Sequence, residues 1–432
     1  MRRKLTPLER SWVLYDIGNS AFTMLIATLF PIYFNALSTA GGLDESQYLA
    51  YWGYAGSLVT AIVAFIGPVC GTMADYRGFK KPIFLVALVV GVISCALLGM
   101  AGSWLSFLVI FIIAKIAYSS SLVYYDAMLP EVTTEKRMDN VSTLGYAWGY
   151  IGSVIPFVVC LVLVLGYEAI GISQGTAMGL AFLITALWWM LCSLPLLRRY
   201  RQTASVEPDP HPVRETFCQL GRTFKEARRQ KHIFVYLLSF FFFIDGVYTI
   251  IDMATAYGTA LGLDSTGLLL ALLVTQLVAF PCAIAFGRLS FKYDTGLLIK
   301  ICILAYTGIT VFAIFLLHQW QFWVLAVLVG MFQGGVQALS RSYLGKIIPP
   351  ERSGEFFGLM DICGKGASFL GLMMVSVISQ MTSGMTFSIF GIQLQNENIS
   401  VGSLLINFLL GYILFSRADK LNRSRITQST NT

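Results

Sequence analysis

The sequence has few charged residues for its length. Asp, Glu, Lys and Arg make up 12% of its 432 residues, which is about half their share in soluble globular domains. A chain of this length with so little charge is not expected to be disordered, a nucleic-acid-binding module or an ordinary soluble enzyme. Hydrophobic residues make up 56% of the chain, including 31 Phe and 20 Tyr. The composition therefore predicts a helical protein that crosses a membrane many times.

The sequence also lacks the motifs of metal, redox and nucleotide chemistry. Its eight cysteines have no CxxC spacing and indicate no disulfide framework. Its three histidines, His211, His232 and His318, have no spacing typical of metal ligands. The pair Gly364-Lys365 is not followed by Ser or Thr, unlike a phosphate-binding loop. We therefore expect no metal site, no cofactor, no enzymatic activity and no ATP-driven transport.

Apolar segments are the dominant feature of the sequence. A helix needs about 20 apolar residues to cross the hydrocarbon core of a bilayer. Twelve segments qualify as predicted spans 1 to 12: 11–37, 48–74, 82–101, 104–128, 141–166, 176–197, 233–260, 267–289, 297–317, 322–347, 356–380 and 401–416. The first segment is too long for a signal-peptide core and should remain as a span.

Lysines and arginines predict how these spans are oriented. With twelve spans, 28 of the 30 cations fall at one end of the bundle, and the loops at the other end have none. The positive-inside rule then places both termini in the cytoplasm. The net charge of +7 therefore encodes orientation and does not indicate an anionic ligand. The other two cations, Lys115 and Lys365, lie inside predicted spans.

The longest cytoplasmic loop divides the spans into two groups of six. The predicted domains are an N-terminal bundle at 1–197, a linker at 198–231 and a C-terminal bundle at 232–432. In the linker, Val213, Phe217, Leu220, Phe224 and Ala227 recur at helical spacing beside basic residues. This stripe predicts either a helix on the anionic inner leaflet or a simple tether between the bundles.

The loop after span 2 carries a pattern of glycine, aspartate and basic residues. Gly71 is followed by Asp75, Gly78 and the cations Arg77, Lys80 and Lys81. A small residue such as Gly71 allows close helix approach, and Gly78 allows a tight turn. The spacing and position resemble the signature of the major facilitator superfamily between its second and third helices.

Three further stretches narrow this resemblance. They are 12–22 (WVLYDIGNSAF), 245–254 (DGVYTIIDMA) and 355–358 (EFFG) with Gly364-Lys365. With the loop motif, they make the chain similar to one branch of the superfamily. That branch includes bacterial major facilitators of unassigned substrate and the autophagy-related vacuolar amino-acid effluxers of fungi. The resemblance implies an all-α membrane protein of twelve helices in two pseudo-symmetric bundles, working by alternating access.

The resemblance also implies a cytoplasmic gate. In the family, the aspartate equivalent to Asp75 faces the N-terminal end of the eleventh helix, where exposed N–H groups and the helix dipole favour an anion. Gly71, Gly78 and Arg77 belong to the same motif. The corresponding loop of the second half, 287–294, has Phe291 where an acid is expected. We therefore expect a degenerate gate there.

Several ionisable residues lie inside the predicted spans, where a charge costs about 3 kcal/mol by insertion scales. They are Asp16, Lys115, Asp126, Asp245, Asp252, Asp361 and Lys365, with Arg341 near the inner end of span 10. Most fall on spans 1, 4, 7 and 10, which line the central cavity in this fold. Our leading hypothesis pairs Asp245 or Asp252 with Lys115 across the cavity and lets a titratable carboxylate carry the coupling proton. The alternative is static packing.

Other polar residues are candidates for the cavity and the gate. Gln333, Gln337, Tyr118 and Asp126 are candidates for the substrate cavity, with interhelical hydrogen bonding as the alternative. The residues expected at the cytoplasmic gate are Asp16, Asn19, Arg341, Asp361 and Lys365. For Asp16 and Asn19, packing of the N-terminus is an equal alternative, and Asp361 and Lys365 are spaced to pair on one helix.

Together these features predict a monomeric secondary transporter in the bacterial cytoplasmic membrane. We expect proton-coupled export of a small polar or zwitterionic solute, with the lipid bilayer as surroundings and no nucleic-acid partner. One alternative is an amphiphilic or lipid-like substrate that moves through a lateral opening. Another is a membrane sensor or assembly protein that does not transport, although such a protein need not keep Lys115 and Asp245 in lipid.

Overall fold

The computed structural model describes residues 4–207, 230–260, 263–382, 387–389, 392–394 and 396–430. In these ranges the chain is helical apart from turns, one isolated bridge and a two-stranded antiparallel hairpin. The hairpin, which the sequence analysis did not predict, pairs Phe387–Ile389 with Ile392–Leu394. The stripe predicted between Val213 and Ala227 lies outside the described residues.

Sixteen α-helices are present in the described ranges. They are α1 Pro7–Ala27, α2 Leu29–Ala40, α3 Glu45–Asp75, α4 Lys80–Leu97, α5 Trp104–Ala127, α6 Leu129–Val132, α7 Glu135–Leu165, α8 Tyr167–Ile170, α9 Gln174–Arg199, α10 Lys231–Ala260, α11 Ser265–Leu289, α12 Thr295–Ile314, α13 Gln319–Ile347, α14 Ser353–Met381, α15 Asn396–Gly402 and α16 Leu404–Thr430. Short 3-10 turns occupy Leu98–Met100 and Pro350–Arg352.

By length and composition, ten of the described helices can cross a membrane, or eleven if α1 and α2 form one bent span. These helices confirm a multi-spanning helical protein. Predicted span 11 falls in α14, where Leu370–Met381 is a shorter apolar helix. The count of twelve spans therefore stays a prediction.

The bend between α1 and α2 has a local cause. The two helices meet at Thr28 with an angle of 40° between them. Pro31 has no N–H to donate, and its ring would clash with the carbonyl of Ala27, four residues earlier, in a continuous helix. The backbone at Thr28 leaves the helical region, with φ −126° and ψ −73°, and the chain resumes its helix at Leu29.

The outward surface of the helices is apolar, as a bilayer requires. On α4, Val86, Val90, Ile93 and Leu97 are spaced at helical intervals, and each is more than a third exposed. In water such stripes promote aggregation, whereas lipid chains solvate them at no cost. The apolar composition is thus used on the surface as well as in the core.

The chain forms two compact units. Unit 1 contains Met1–Thr134, Trp148–Phe217 and Pro349–Gly358. Its core is aromatic: the rings of Trp12 and Tyr125 stack at 4.3 Å between centroids, and Tyr15 packs on Tyr125 at 4.6 Å. A Cβ on Gly91 would lie 2.6 Å from the Trp189 ring, so only glycine allows α4 and α9 to pack this closely.

Unit 2 contains Glu135–Ala147, Cys218–Ile348 and Leu359–Thr432. Helices α10 and α16 pack closely in it, because Gly246 accepts the ring of Phe408 and Gly411 accepts Phe243. Small residues at such contacts let neighbouring helices approach within a membrane. Each unit takes a short segment from the opposite predicted half: 349–358 joins unit 1 and 135–147 joins unit 2.

Candidate functional site

Asp75, the last residue of α3, caps the N-terminus of α14. Its side chain is buried; Oδ1 accepts a hydrogen bond from the Gly354 N–H at 2.8 Å, and Oδ2 accepts one from the Glu355 N–H at 2.9 Å. The first N–H groups of a helix have no partner within the helix, and its dipole favours an anion at that end. The contact implied by the family resemblance is therefore present in the structure.

Glycines make this contact possible. A Cβ on Gly71 would overlap the carbonyl of Gly354, and a Cβ on Gly354 would overlap that of Gly71. Gly78 has a φ of +82°, which an L-residue with a side chain rarely adopts. The two glycines predicted in the motif therefore have different roles: Gly71 permits close approach, and Gly78 forms the turn.

Lys80 lies at the centre of the same cluster, although the sequence motif indicated it only as one of several cations in the loop after span 2. It is fully buried, and its Nζ donates to Glu131 Oε1 and to Ser353 Oγ, both at 2.8 Å. Its Nζ also lies 3.5 Å from Asp75 Oδ1. We call Asp75, Lys80, Glu131 and Ser353 the Asp75 cluster. One cation between two carboxylates leaves the cluster with a net negative charge.

Glu131 also ties the start of the long central loop to this cluster. Its Oε2 accepts hydrogen bonds from the backbone N–H of Thr203 at 2.6 Å and of Ala204 at 3.1 Å, and its Oε1 accepts one from Tyr200 Oη at 2.9 Å. Burial and the Glu131 carboxylate raise the pKa of Tyr200, which keeps the hydroxyl protonated as a donor. The sequence feature that could have indicated Glu131 as a site residue is its position directly after span 4.

The backbone of the loop pairs with the motif as well. Val206 N–H donates to the Asp75 carbonyl at 2.8 Å, and Arg77 N–H donates to the Val206 carbonyl at 3.0 Å. The Arg77 side chain is 76% exposed and lies 3.9 Å from that of Glu207. Exposed pairs of this kind contribute little to stability. Arg77 therefore contributes to the site mainly through its backbone.

A second buried cluster lies in unit 2, where the sequence analysis expected a degenerate gate. Asp139, near the start of α7, accepts hydrogen bonds from Lys346 Nζ at 2.6 Å, Thr295 Oγ1 at 2.7 Å and Ser342 Oγ at 2.6 Å. We call these four residues the Asp139 cluster. The carboxylate of this cluster comes from α7 and not from the loop 287–294, which has Phe291 where an acid is expected.

In both clusters a buried acid pairs with a lysine from another helix. The lysine and the acid lie at different helix ends in the two clusters. In the Asp75 cluster the lysine begins α4 and the acid Glu131 follows α5. In the Asp139 cluster the lysine lies at the end of α13, and the acid lies in α7. Gly287 contacts Thr143 of α7 closely, much as Gly71 contacts Gly354. Sequence spacing did not reveal these pairs because the acid and the lysine are distant in sequence, as Glu131 is from Lys80 and Asp139 from Lys346.

Arg341 lies beside the Asp139 cluster. It is 3% exposed, its Nε donates to Ser142 Oγ at 2.9 Å, and its Nη2 donates to the Ser142 carbonyl at 3.0 Å. Its guanidinium lies over the Tyr146 ring, 4.4 Å from the centroid, in a cation–π contact. Arg341 thus joins α13 to α7.

Asp245, the leading candidate for proton coupling, is completely buried within unit 2. Its Oδ1 accepts from the Gly371 N–H at 2.8 Å, and its Oδ2 accepts from Asn407 Nδ2. Both oxygens are therefore satisfied by α14 and α16. These contacts favour the packing alternative for Asp245 and do not require Lys115 as a partner.

The chain resembles known transporters throughout its length. A family model described as "Vacuole effluxer Atg22 like" matches residues 7–394. An uncharacterised MFS-type transporter of Bacillus subtilis, YxiO, is 38% identical over all of this chain and 99% of its own. The chain belongs to the Atg22-like branch of the major facilitator superfamily. The resemblance inferred from the sequence motifs is thereby confirmed.

Fungal relatives and solved structures of the superfamily agree with this placement. Autophagy-related protein 22-2 of Aspergillus clavatus is 26% identical over 56% of this chain, but the match spans only 44% of that protein. The transporter FucP in its outward conformation has a TM-score of 0.70 at 14% identity, over 95% of this chain and 97% of its own. The human organic anion transporter MFSD10 has a TM-score of 0.67 at 16% identity, covering 94% and 98%. At these identities the solved structures show the fold alone.

In this Atg22-like chain, the stretch 12–22 of α1 contains aromatic residues that pack on α5 and polar residues that are buried. Trp12 Nε1 donates to the Tyr125 carbonyl at 3.0 Å, and Tyr15 Oη donates to Ser121 Oγ at 2.7 Å. Asp16 is 6% exposed and Asn19 is 2% exposed. The aromatic residues hold α1 against α5, whereas the gating role of Asp16 and Asn19 stays a prediction.

The remaining candidates in this Atg22-like chain differ in exposure. Asp252 is exposed, whereas Lys115, Asp126, Gln337 and Asp361 are partly buried. Tyr118 Oη shares a hydrogen bond with Thr23 Oγ1 at 2.6 Å, and Gln333 is 6% exposed. The side chain of Lys365 lies outside the described part of the chain, so its pairing with Asp361 stays a prediction. In the described ranges, no group of His, Cys, Asp or Glu is arranged to hold a metal ion.

Proposed function

We propose that this protein is a secondary active transporter that exports a small polar or zwitterionic solute by proton-coupled alternating access. It works as a monomer of twelve spans in the bacterial cytoplasmic membrane, with both termini in the cytoplasm. The functional halves are 1–197 and 232–432, joined by the linker 198–231. An Atg22-like effluxer family and a full-length MFS-type relative support transport as the activity.

One observation carries this proposal: the Asp75 carboxylate caps the N-terminus of α14 through two backbone N–H groups. A buried carboxylate at a helix end is stabilised by the N–H groups while the contact is intact, and water must take their place when the contact opens. Such a contact suits a gate that is closed in one state and hydrated in the other. The Asp139 cluster and Arg341 provide a second set of buried polar contacts with the same property.

The proposed substrate pathway uses Lys115, Asp126, Tyr118, Gln333 and Gln337. Of the two acids proposed for coupling, Asp252 is the better candidate because its side chain is exposed, while Asp245 already accepts two hydrogen bonds. A coupling carboxylate must exchange its proton with water, which requires access.

A reconstituted flux assay tests this proposal. A thermal-shift screen of amino acids, amines, sugars and lipids first selects solutes that stabilise the purified protein. Proteoliposomes with an internal pH dye then report solute movement and proton movement together. We expect a stabilising amino-acid-sized solute to move in a pH-dependent manner. Failure of every stabilising solute to move would contradict transport, and movement independent of the pH gradient would contradict proton coupling.

A further inference from the structure

A groove lies between the start of α10 and the end of α16. Its volume is about 370 Å³, and its lining includes Lys231, Phe234 and Val235 from α10. Arg417, Lys420 and Leu421 line it from α16. The groove therefore combines three cations with an apolar floor. Positive-inside counting places this end of both helices at the cytoplasmic surface of the membrane.

The cations of the groove differ from their neighbours on α16. Arg423 donates to Asp294 Oδ2 at 2.7 Å, and Asp419 accepts from Lys300 at 2.6 Å. In the described part of the chain, Lys231, Arg417 and Lys420 form no such ion pair. The one acid of α16, Asp419, is thus engaged by Lys300, and no carboxylate in the described ranges pairs with the groove cations.

The helical geometry concentrates this charge. Arg417, Lys420 and Leu421 are three and four residues apart, so they share one face of α16. Lys231 is the first residue of α10, where the helix dipole adds positive potential and is opposed by a cation. No acid is found among the described residues that line the groove. An anion placed there would relieve this repulsion.

We propose that this groove binds an anionic phospholipid of the inner leaflet. The phosphate of the headgroup lies among Lys231, Arg417 and Lys420, and the first part of an acyl chain lies on Phe234, Val235 and Leu421. Basic pockets at the cytoplasmic ends of membrane helices recognise lipids with this chemistry. A soluble anion satisfies the cations but leaves the apolar floor uncovered, so the lipid is favoured. This site is independent of the proposed transport cycle.

Native mass spectrometry of the delipidated full-length protein tests the lipid site. The probe is an equimolar mixture of phosphatidylglycerol and phosphatidylethanolamine with identical acyl chains. We expect wild-type protein to retain phosphatidylglycerol by about a hundredfold over phosphatidylethanolamine, since each of the three cations near an anionic headgroup contributes roughly a fivefold preference. The variant Lys231→Gln/Arg417→Gln/Lys420→Gln should lower this ratio to about one. All three side chains are exposed, so the variant should fold.

The matched control is Arg201→Gln/Arg288→Gln/Lys292→Gln, which removes three exposed cations away from the groove. The control should keep the wild-type ratio. An unchanged ratio in the groove variant, or an equal loss in the control, would overturn the proposal. Millimolar inorganic phosphate separates a lipid site from a site for soluble anions. Full displacement of phosphatidylglycerol by free phosphate would show that the groove takes the anion and not the lipid.

Discussion

At the scale of single residues, the best-defined feature is the pairing of Lys80 with Glu131. Their side chains are 0% and 1% exposed, and the Nζ to Oε1 distance is 2.8 Å. Removing one partner of a buried ion pair leaves the other charge buried without compensation, which costs about 3–5 kcal/mol. Removing both partners costs far less. The pair therefore fixes the geometry of the site more than it raises stability.

A double-mutant cycle tests this reading of the pair. We expect Lys80→Met and Glu131→Gln each to lower the thermal midpoint of the detergent-solubilised protein markedly. The double variant should recover part of the loss, because Asp75 is then the one carboxylate left in the cluster and keeps its two backbone N–H donors. Fluorescence-detected unfolding measures the three midpoints. Additive losses would show that the two residues act independently.

A second prediction at this scale separates the two acids of α10. Asp245→Asn places an amide N–H₂ against Asn407 or the Gly371 N–H, so it should lower stability by about 1–3 kcal/mol. Asp252 is exposed, so Asp252→Asn should lower stability less than Asp245→Asn, by about 1 kcal/mol or less.

Proteoliposome flux distinguishes the functions of the same two variants. Asp252→Asn should lose the dependence of transport on the pH gradient, while correctly folded Asp245→Asn should keep it. The opposite pattern would return Asp245 to the coupling role first suggested by the sequence.

At the scale of secondary structure elements, the close approach of α3 and α14 depends on glycine. We expect Gly71→Ala to force the backbones apart, because its Cβ would overlap the Gly354 carbonyl. Overpacking of this kind costs about 1–3 kcal/mol, and it should also lengthen the two hydrogen bonds to Asp75. Hydrogen–deuterium exchange at Gly354 and Glu355 and the thermal midpoint report the effect.

The same helix contains the matched control. A Cβ on Gly56 meets no atom within 4 Å, so Gly56→Ala should be neutral or stabilise α3 by up to about 1 kcal/mol. An equal gain of stability in the two variants would mean that helix propensity decides the outcome and that the contact with α14 does not.

The helices themselves were largely predictable, because hydropathy over about 20 residues depends only on local sequence. The bend at Thr28 was not predicted, although Pro31 is a local signal for it. The strands Phe387–Ile389 and Ile392–Leu394 were missed because they are short and lie between predicted spans. The contact of Asp75 with α14 came from the resemblance. Glu131 and Asp139 were missed because their partners are distant in sequence, such as Lys80 and Lys346.

At the scale of the whole molecule, both buried clusters join segments from the two halves of the sequence. Residues 349–358 of the second half belong to unit 1, and residues 135–147 of the first half belong to unit 2. Alternating access would require both sets of contacts to break together.

The most direct test of this account measures access to Ser353, which is fully buried and bonded to Lys80. Ser353→Cys is made in a background from which the eight native cysteines have been removed. It is labelled with a membrane-impermeant maleimide from either face of oriented membrane vesicles. The account predicts slow labelling from the cytoplasmic face, at least tenfold faster labelling when Asp75→Asn and Asp139→Asn are added, and no labelling from the other face. An unchanged rate in the triple variant, or labelling from the outer face, would contradict a cytoplasmic gate at this position.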